Sequence, residues 1–321
     1  MVRSFIILVC LLFLVAGCNA NVNHPKYMKK TAFSNNLTIA TGGKYGPYFT
    51  IGSDLAEIYS SNLNMNATVQ STGGSVENIN LLEEKKAELA FVMGDVALAA
   101  YEGKGQFNKA LKDLRIMTGL YLNYVQIITL ETSGINTVKD LVGKKVSIGA
   151  SNSGVEVNAR MILTGYGLDY SDFQSFPLSY HESMEKLKLG EIDAAFVTSG
   201  LPNAPVVELC KEKNIKIVPI NLNEMNKEEL SPSFIETVIP ANTYGNKDPV
   251  PTVGIQNLLL ARKDLPESEV YSFISALYGN ISRLQTTHEA MLDVSPSDPP
   301  PNLPIPLHDG AKRYYDNNRF K

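Results

Sequence analysis

The stretch Gln70-Ser71-Thr72-Gly73-Gly74-Ser75-Val76-Glu77-Asn78 decides how the chain is read. Ahead of it stands Ala67-Thr68-Val69, a short run suited to a strand. Behind it, Val76, Ile79 and Leu82 recur at helical spacing over Val76 to Lys86. The stretch is therefore expected to be a strand–loop–helix junction. Gly73 and Gly74 let backbone N–H groups approach a ligand with no Cβ in the way. The helix start leaves N–H donors unpaired and carries partial positive charge. Ser71, Thr72 and Ser75 add hydroxyls. Together these make a small cup for a carboxylate or another anion. Taken alone, such a loop reads as a tight turn with a good helix cap.

Four more junctions repeat the pattern: Thr41-Gly42-Gly43-Lys44-Tyr45-Gly46-Pro47-Tyr48, Met93-Gly94-Asp95, Ala150-Ser151-Asn152-Ser153-Gly154, and Thr198-Ser199-Gly200-Leu201-Pro202-Asn203. Each follows an apolar run and opens a helical pattern. Ligands of open α/β sheets bind outside the carboxyl ends of the strands, so five such ends favour a polar small-molecule cleft. The candidate ligand contacts are Gly43, Tyr45 and Tyr48; Ser71, Thr72, Gly73, Gly74 and Ser75; Asp95; Tyr121; Asn152, Ser153 and Gly154; and Thr198 and Ser199. Several keep a second role open. Tyr45 and Tyr48 either face the ligand or cover the core, Lys44 either meets an anion or stays solvated, and Asp95 is read chiefly as the N-cap of the next helix.

Length and composition narrow the class. The 321 residues suffice for two domains or one large one, with 44% hydrophobic and 19% charged residues. A net charge of −4 with no basic block argues against a nucleic-acid partner. His24, His181, His288 and His308 are far apart, and the three cysteines show no Cys-x-x-Cys spacing. No zinc site is expected, nor any other metal or cofactor.

Met1 to Gly17 reads as a processing segment, with Arg3 ahead of the apolar run Phe5 to Ala16. It ends in Leu14-Val15-Ala16-Gly17-Cys18, which looks like a bacterial lipobox. Cys18 is thus expected to be lipidated, holding the protein on a membrane surface outside the cytoplasm. Asn19 to Asn36 reads as a flexible tether. Cys10 is removed with the leader, which leaves Cys210 unpaired.

Strands are expected at Leu37 to Ala40, Glu88 to Met93, Lys145 to Ala150, Gln174 to Leu178, Ile192 to Val197, Ile215 to Ile220 and Val253 to Leu260. Arg115 to Thr129 is unusually long and reads as a ribbon shared by two lobes, with Tyr121 to Tyr124 at the crossing. A loop is read over Pro240 to Pro251, one long helix over Glu267 to Leu284, and an extended run over Ser295 to Pro306. The pattern is α/β, with two βαβ lobes: residues 37–121 plus 241–321, and residues 122–240.

Thr41-Gly42-Gly43, Ser71-Thr72-Gly73-Gly74-Ser75-Val76-Glu77-Asn78, Gly190-Glu191-Ile192-Asp193-Ala194-Ala195-Phe196, Leu201-Pro202-Asn203 and Pro306-Leu307-His308-Asp309-Gly310-Ala311 resemble the TAXI family, from about Leu37 to the C-terminus. These are the extracytoplasmic solute-binding subunits of TRAP transporters. The resemblance implies a two-lobed, type II periplasmic-binding fold with the ligand cleft between the lobes. It also implies a small carboxylate ligand, of the glutamate, dicarboxylate or 2-oxoacid class, and delivery to a TRAP-type membrane permease. The Gly and Ser positions of Ser71 to Ser75 carry over best, followed by Ser153 and Gly154. One departure stands out: after Leu120-Tyr121 the family usually has Pro-Glu, and this chain has Leu122-Asn123. Two other readings are a sensor that docks to a membrane receptor and an enzyme on the same fold. The enzyme would need an activated nucleophile or acid–base pair at the strand ends; Cys210 is expected on a helix away from them, and of the histidines only His181, at a helix start, comes near one.

Overall fold

The computed structural model describes residues 35–226, 228, 231–298 and 302–318. The leader, Cys18 and the tether as far as residue 34 lie outside the described residues. In chain order the elements are β1 (Asn36–Ala40), α1 (Pro47–Leu63), β2 (Asn66–Gln70), α2 (Ser75–Glu83), β3 (Leu89–Met93), α3 (Gly94–Glu102) and β4 (Leu114–Leu130). There follow β5 (Lys145–Ser147), α4 (Gly154–Gly165), β6 (Gln174–Phe176), α5 (Tyr180–Leu189), β7 (Ala194–Ser199), α6 (Ala204–Glu212) and β8 (Ile215–Val218). The chain ends with β9 (Phe234–Ile239), β10 (Val250–Arg262), α7 (Glu267–Gly279), α8 (Ile281–Thr287) and α9 (Asp309–Asn318).

Among the described residues ten strands share one sheet, whose main path runs β2-β1-β3-β10-β4-β7-β5-β6, with β8 added to β4 and β9 to β10. β1 lies parallel to β2 and β3, as βαβ connections require. β5 likewise lies parallel to β6 and β7. Between these parallel groups run β4 and β10, antiparallel to each other from Gly254–Tyr124 to Arg262–Leu114. The pairing register shifts between Gln256 and Leu258. Such a bulge bends and twists the ladder locally, at the place where both strands pass from one group to the other. The expected long ribbon is β4, and its partner is the second long strand. The fold is thus an α/β sheet in two lobes with a double-stranded crossing.

The inner strands of the two parallel groups, β3 and β7, are buried on both faces and so read as apolar runs. All five residues of β3 are buried, as are all six of β7. Phe91 and Phe196, at 0% and 1% exposure, fill the space between strands and covering helices. The last helix is seated by the Pro306–Ala311 motif. Ile116 N donates to Pro306 O and His308 N to Ile116 O, at 3.0 and 2.9 Å. His308 Nδ1 accepts from Gly310 N at 3.1 Å. A Cβ on Gly310 would stand 2.3 Å from Glu267 O, so only glycine permits this approach of α9 to α7.

Several expected boundaries move, for local reasons. The strand expected to reach Ala150 stops at Ser147, because Gly149 turns the chain at φ +90° and lies against Val155. The single helix expected over Glu267 to Leu284 is two helices. Asn280, at φ −119° and ψ 21°, breaks it after Gly279 and donates its amide to Ala276 O at 2.8 Å. β9 falls where no strand is expected, and β10 starts at Val250, inside the expected loop. Asp95 is not an N-cap: α3 starts at Gly94 with Met93 before it, and the buried Asp95 carboxylate faces another helix.

Candidate functional site

The five strand-end loops meet around one cavity of about 100 Å³. Gly42, Gly43 and Gly46 lead into α1 with Tyr48; Thr72 to Ser75 lead into α2; Met93 ends β3. From the opposite side come Ala150, Ser153, Gly154 and Val155 at the start of α4, Ser179 and Tyr180 at the start of α5, and Thr198 and Ser199 at the end of β7. Tyr121 and Asn123 of β4 form the floor between the two sides.

The Gly73-Gly74 turn is shaped from within. Thr72 Oγ1 accepts from Gly74 N at 3.1 Å and lies 2.6 Å from Asn78 Oδ1. The Asn78 amide donates to Thr41 O and Phe91 O, at 2.5 and 2.7 Å. One fully buried side chain thereby ties together the ends of β1 and β3 and the turn after β2. Gly74 has φ +129° and ψ −149°, a conformation open to glycine. Ser75 Oγ accepts from Met93 N at 3.1 Å, and Ser71 Oγ donates to Gly42 O at 2.9 Å. These hydroxyls build the loop, and within it Gly73 N donates to Glu77 Oε2 at 2.7 Å. At the start of α2, Ser75 and Val76 have no intrahelical acceptor for their N–H groups; at the start of α4 the same holds for Gly154 and Val155, while Ser153 Oγ accepts from Glu156 N at 3.1 Å. Both helices direct their positive ends at the cavity. Asn78→Ala removes the bonds of this side chain to Thr72, Thr41 and Phe91 and is expected to lower unfolding stability by about 2–4 kcal/mol, read as a shift in the denaturant midpoint at unchanged slope.

The walls are neutral. Burial pushes the phenols of Tyr48, Tyr121 and Tyr180 above the usual tyrosine range, so all three stay protonated. Tyr180 Oη donates to Thr198 O at 2.6 Å, and Tyr48 Oη donates to Asn257 Oδ1. Asn257 also accepts from Asn123 Nδ2 at 2.8 Å and donates to Tyr121 O at 3.2 Å, which locks the floor. Two hydroxyls of lining residues are left over: Tyr121 Oη and Thr198 Oγ1 are buried without a hydrogen-bond partner. Buried polar atoms are normally paired, so these two are exceptions behind the cavity wall.

Contacts across the cleft close it. Glu77 N donates to Asn152 O at 3.2 Å, and Asn152 holds a left-handed φ of 59° to offer that carbonyl. Asn158 Nδ2 of α4 donates to Asp95 Oδ2 of α3 at 2.6 Å, with both residues buried. At the rim the Tyr45 and His181 rings stack at 4.6 Å.

Of the residues expected from sequence, Gly43, Tyr48, Thr72, Gly73, Gly74, Ser75, Tyr121, Ser153, Gly154, Thr198 and Ser199 are gathered in the lining. Four are not. Tyr45 is at the exposed rim, Ser71 supports the loop, and Asn152 and Asp95 make cross-cleft contacts. Tyr180 and Ser179 are lining residues that the sequence alone does not single out. For Tyr180 a signal exists: Ser179 and Glu182 form a capping box, which starts α5 at Tyr180.

A closed cleft between two groups of strand ends, joined by a double-stranded crossing, is the architecture of the two-lobed periplasmic binding proteins. The chain belongs to the NMT1-like family, whose pattern matches residues 39–318. Solved structures share the fold at low identity. MatC from Rhodopseudomonas palustris with bound malate is 14% identical, with TM-score 0.59, covering 88% of this chain and 97% of that one. A protein described as a periplasmic transporter is 15% identical, with TM-score 0.58, covering 88% and 95%. PhnD1 from Prochlorococcus marinus in complex with methylphosphonate is 13% identical, with TM-score 0.54, covering 81% and 89%.

Proposed function

We propose that this protein is an extracytoplasmic solute-binding protein that captures a small organic anion between its lobes and delivers it to a membrane permease. The observation that carries this reading is the convergence of helix N-termini from both sides, those of α1 and α2 facing those of α4 and α5, on one cavity. Only the closed arrangement brings donors from both lobes onto one molecule, so ligand shifts the equilibrium toward closure. Residues 37–121 with 241–321 form one lobe and residues 122–240 the other, and the β4–β10 crossing absorbs the rotation. The anionic ligands of MatC and PhnD1 support the ligand class. The permease is of the TRAP type, as the TAXI-like motifs imply, and lipid on Cys18 holds the protein at the membrane.

A thermal-shift screen of the purified protein against small carboxylates tests this. Ligand at about 100 times its Kd is expected to add roughly 2.7 kcal/mol of stability. No shift with any carboxylate removes the reading.

A further inference from the structure

Resting on the reading of two lobes that open and close, we infer that the ring stack of Tyr45 on His181 is a rim latch. It holds the lobes together from outside the cavity and sets how often the cleft opens to exchange ligand, without itself meeting the ligand.

The ring centroids stand 4.6 Å apart, with the planes 25° from parallel. Tyr45 lies in the loop between β1 and α1, and His181 in the first turn of α5, so the pair joins the two sides of the cleft. Neither residue lines the cavity, and both are exposed, Tyr45 at 60%. Each ring rides on backbone fixed within its own side. Before α1, Gly46 N donates to Gly43 O at 2.9 Å and Pro47 enters the first helical turn, which closes a tight turn around Tyr45. Before α5, the Ser179–Glu182 capping box fixes the helix start, and Tyr180 Oη is tied to Thr198 O. The stack therefore couples two rigid pieces and cannot survive their rotation apart. A stacked ring pair is attractive beyond the area that it covers.

The cross-cleft contacts fall into two groups. One follows α4 and the loop before it: Gly73 against Ser151 O, Glu77 N on Asn152 O, and Asp95 on Asn158. The other follows the start of α5: His181 on Tyr45, and Tyr180 against Gly46, where an added Cβ would stand 3.4 Å from the Tyr180 ring. Both groups resist the same motion, so removing the stack raises the open population even though every α4 contact is left in place.

Hydrogen exchange of the purified protein, read by NMR with no ligand present, tests this. The Glu77 N–H has Asn152 O across the cleft as its acceptor and, in the first turn of α2, no intrahelical one, so it exchanges when the cleft opens. The Ile148 N–H, bonded to Phe176 O at 3.0 Å within its own side, is the control. Tyr45→Ala and His181→Ala are each expected to speed exchange at Glu77 about fivefold and to leave Ile148 unchanged. Tyr45→Phe keeps the ring and is expected to exchange as the parent does, and the double alanine variant no faster than either single one. Parent rates at Glu77 in both alanine variants would overturn the latch and leave the two-lobe reading standing. An equal rise at Ile148 would mark a general loss of stability and overturn it too. Exchange at Glu77 in the parent as slow as at Ile148 would mean lobes that do not open, and would overturn both.

Discussion

Gly73→Ala is expected to weaken ligand binding at least about 100-fold while leaving the unliganded protein as stable as before. The added Cβ would stand 2.4 Å from Ser151 O, closer than any real Cβ contact, and the obstructing atom is backbone. Ser151 belongs to the loop before α4, across the cavity, so under the proposed lobe motion the clash exists only in the closed state. The Gly73 conformation itself is not left-handed, unlike that of Gly74, so alanine is tolerated within its own lobe. Relief requires the loops to part by several tenths of an ångström, and the Glu77 N to Asn152 O bond at 3.2 Å is the first to break. A site held open by that much gives up donors from one side, and positioning on this scale is worth orders of magnitude. Calorimetry with any ligand found, alongside a melt of the free variant, reads both halves of the expectation. Affinity within threefold of the parent would show that closure does not depend on this approach.

Gly73 is legible from sequence for the same reason that it is sensitive. Glycine, serine and threonine after an apolar run mark a turn at a strand end, and local chemistry of this kind survives in one dimension. All five strand-end loops are visible this way, and the long β4 is visible from its length. What escapes is written in pairings across the fold. β9 leaves Ile235 and Val238 exposed, three residues apart and so on opposite faces, and lacks clean alternation; only its ladder to β10 makes it a strand. The place of Tyr180 in the lining goes with its bond to Thr198 O, a partner 18 residues away that no neighbour in sequence predicts. Asp95 resembles a cap because acidic residues at helix starts usually are caps. Its partner Asn158 lies 63 residues away, on a helix of the other lobe.

That misplacement leads to the second large effect. Asp95→Asn is expected to stabilise the protein at pH 8 and to flatten its stability profile between pH 4 and 8. Burial raises the Asp95 carboxyl from 3.8 to about 6, against the lowering effect of the Val96 N–H, the Asn158 amide and its own backbone N–H. No cation is among the groups that shift it, and the buried Tyr48 phenol that it influences stays neutral. The folded state therefore holds the proton more tightly than the unfolded chain. That contribution is fully present below 3.8 and is lost as pH rises through 6, so that above 6 the buried charge costs about 3 kcal/mol. The hydrogen bonds agree with this direction. Asp95 Oδ2 accepts from Asn158, whereas Asp95 Oδ1 and Asn158 Oδ1 are both acceptors without a donor. One proton on the carboxyl supplies what both lack, and an amide at position 95 supplies it permanently. The pair also joins α3 to α4 across the cleft, so opening exposes the carboxylate to water and lowers its pKa. Closure thus takes up a proton, and ligand affinity of the parent is expected to rise as pH falls from 8 to 5, while Asp95→Asn binds at pH 8 as the parent does at pH 5. Denaturation at both pH values and calorimetry in buffers of different ionisation enthalpy measure the two effects. A variant that is less stable at pH 8, or one that still titrates near pH 6, would locate the proton elsewhere.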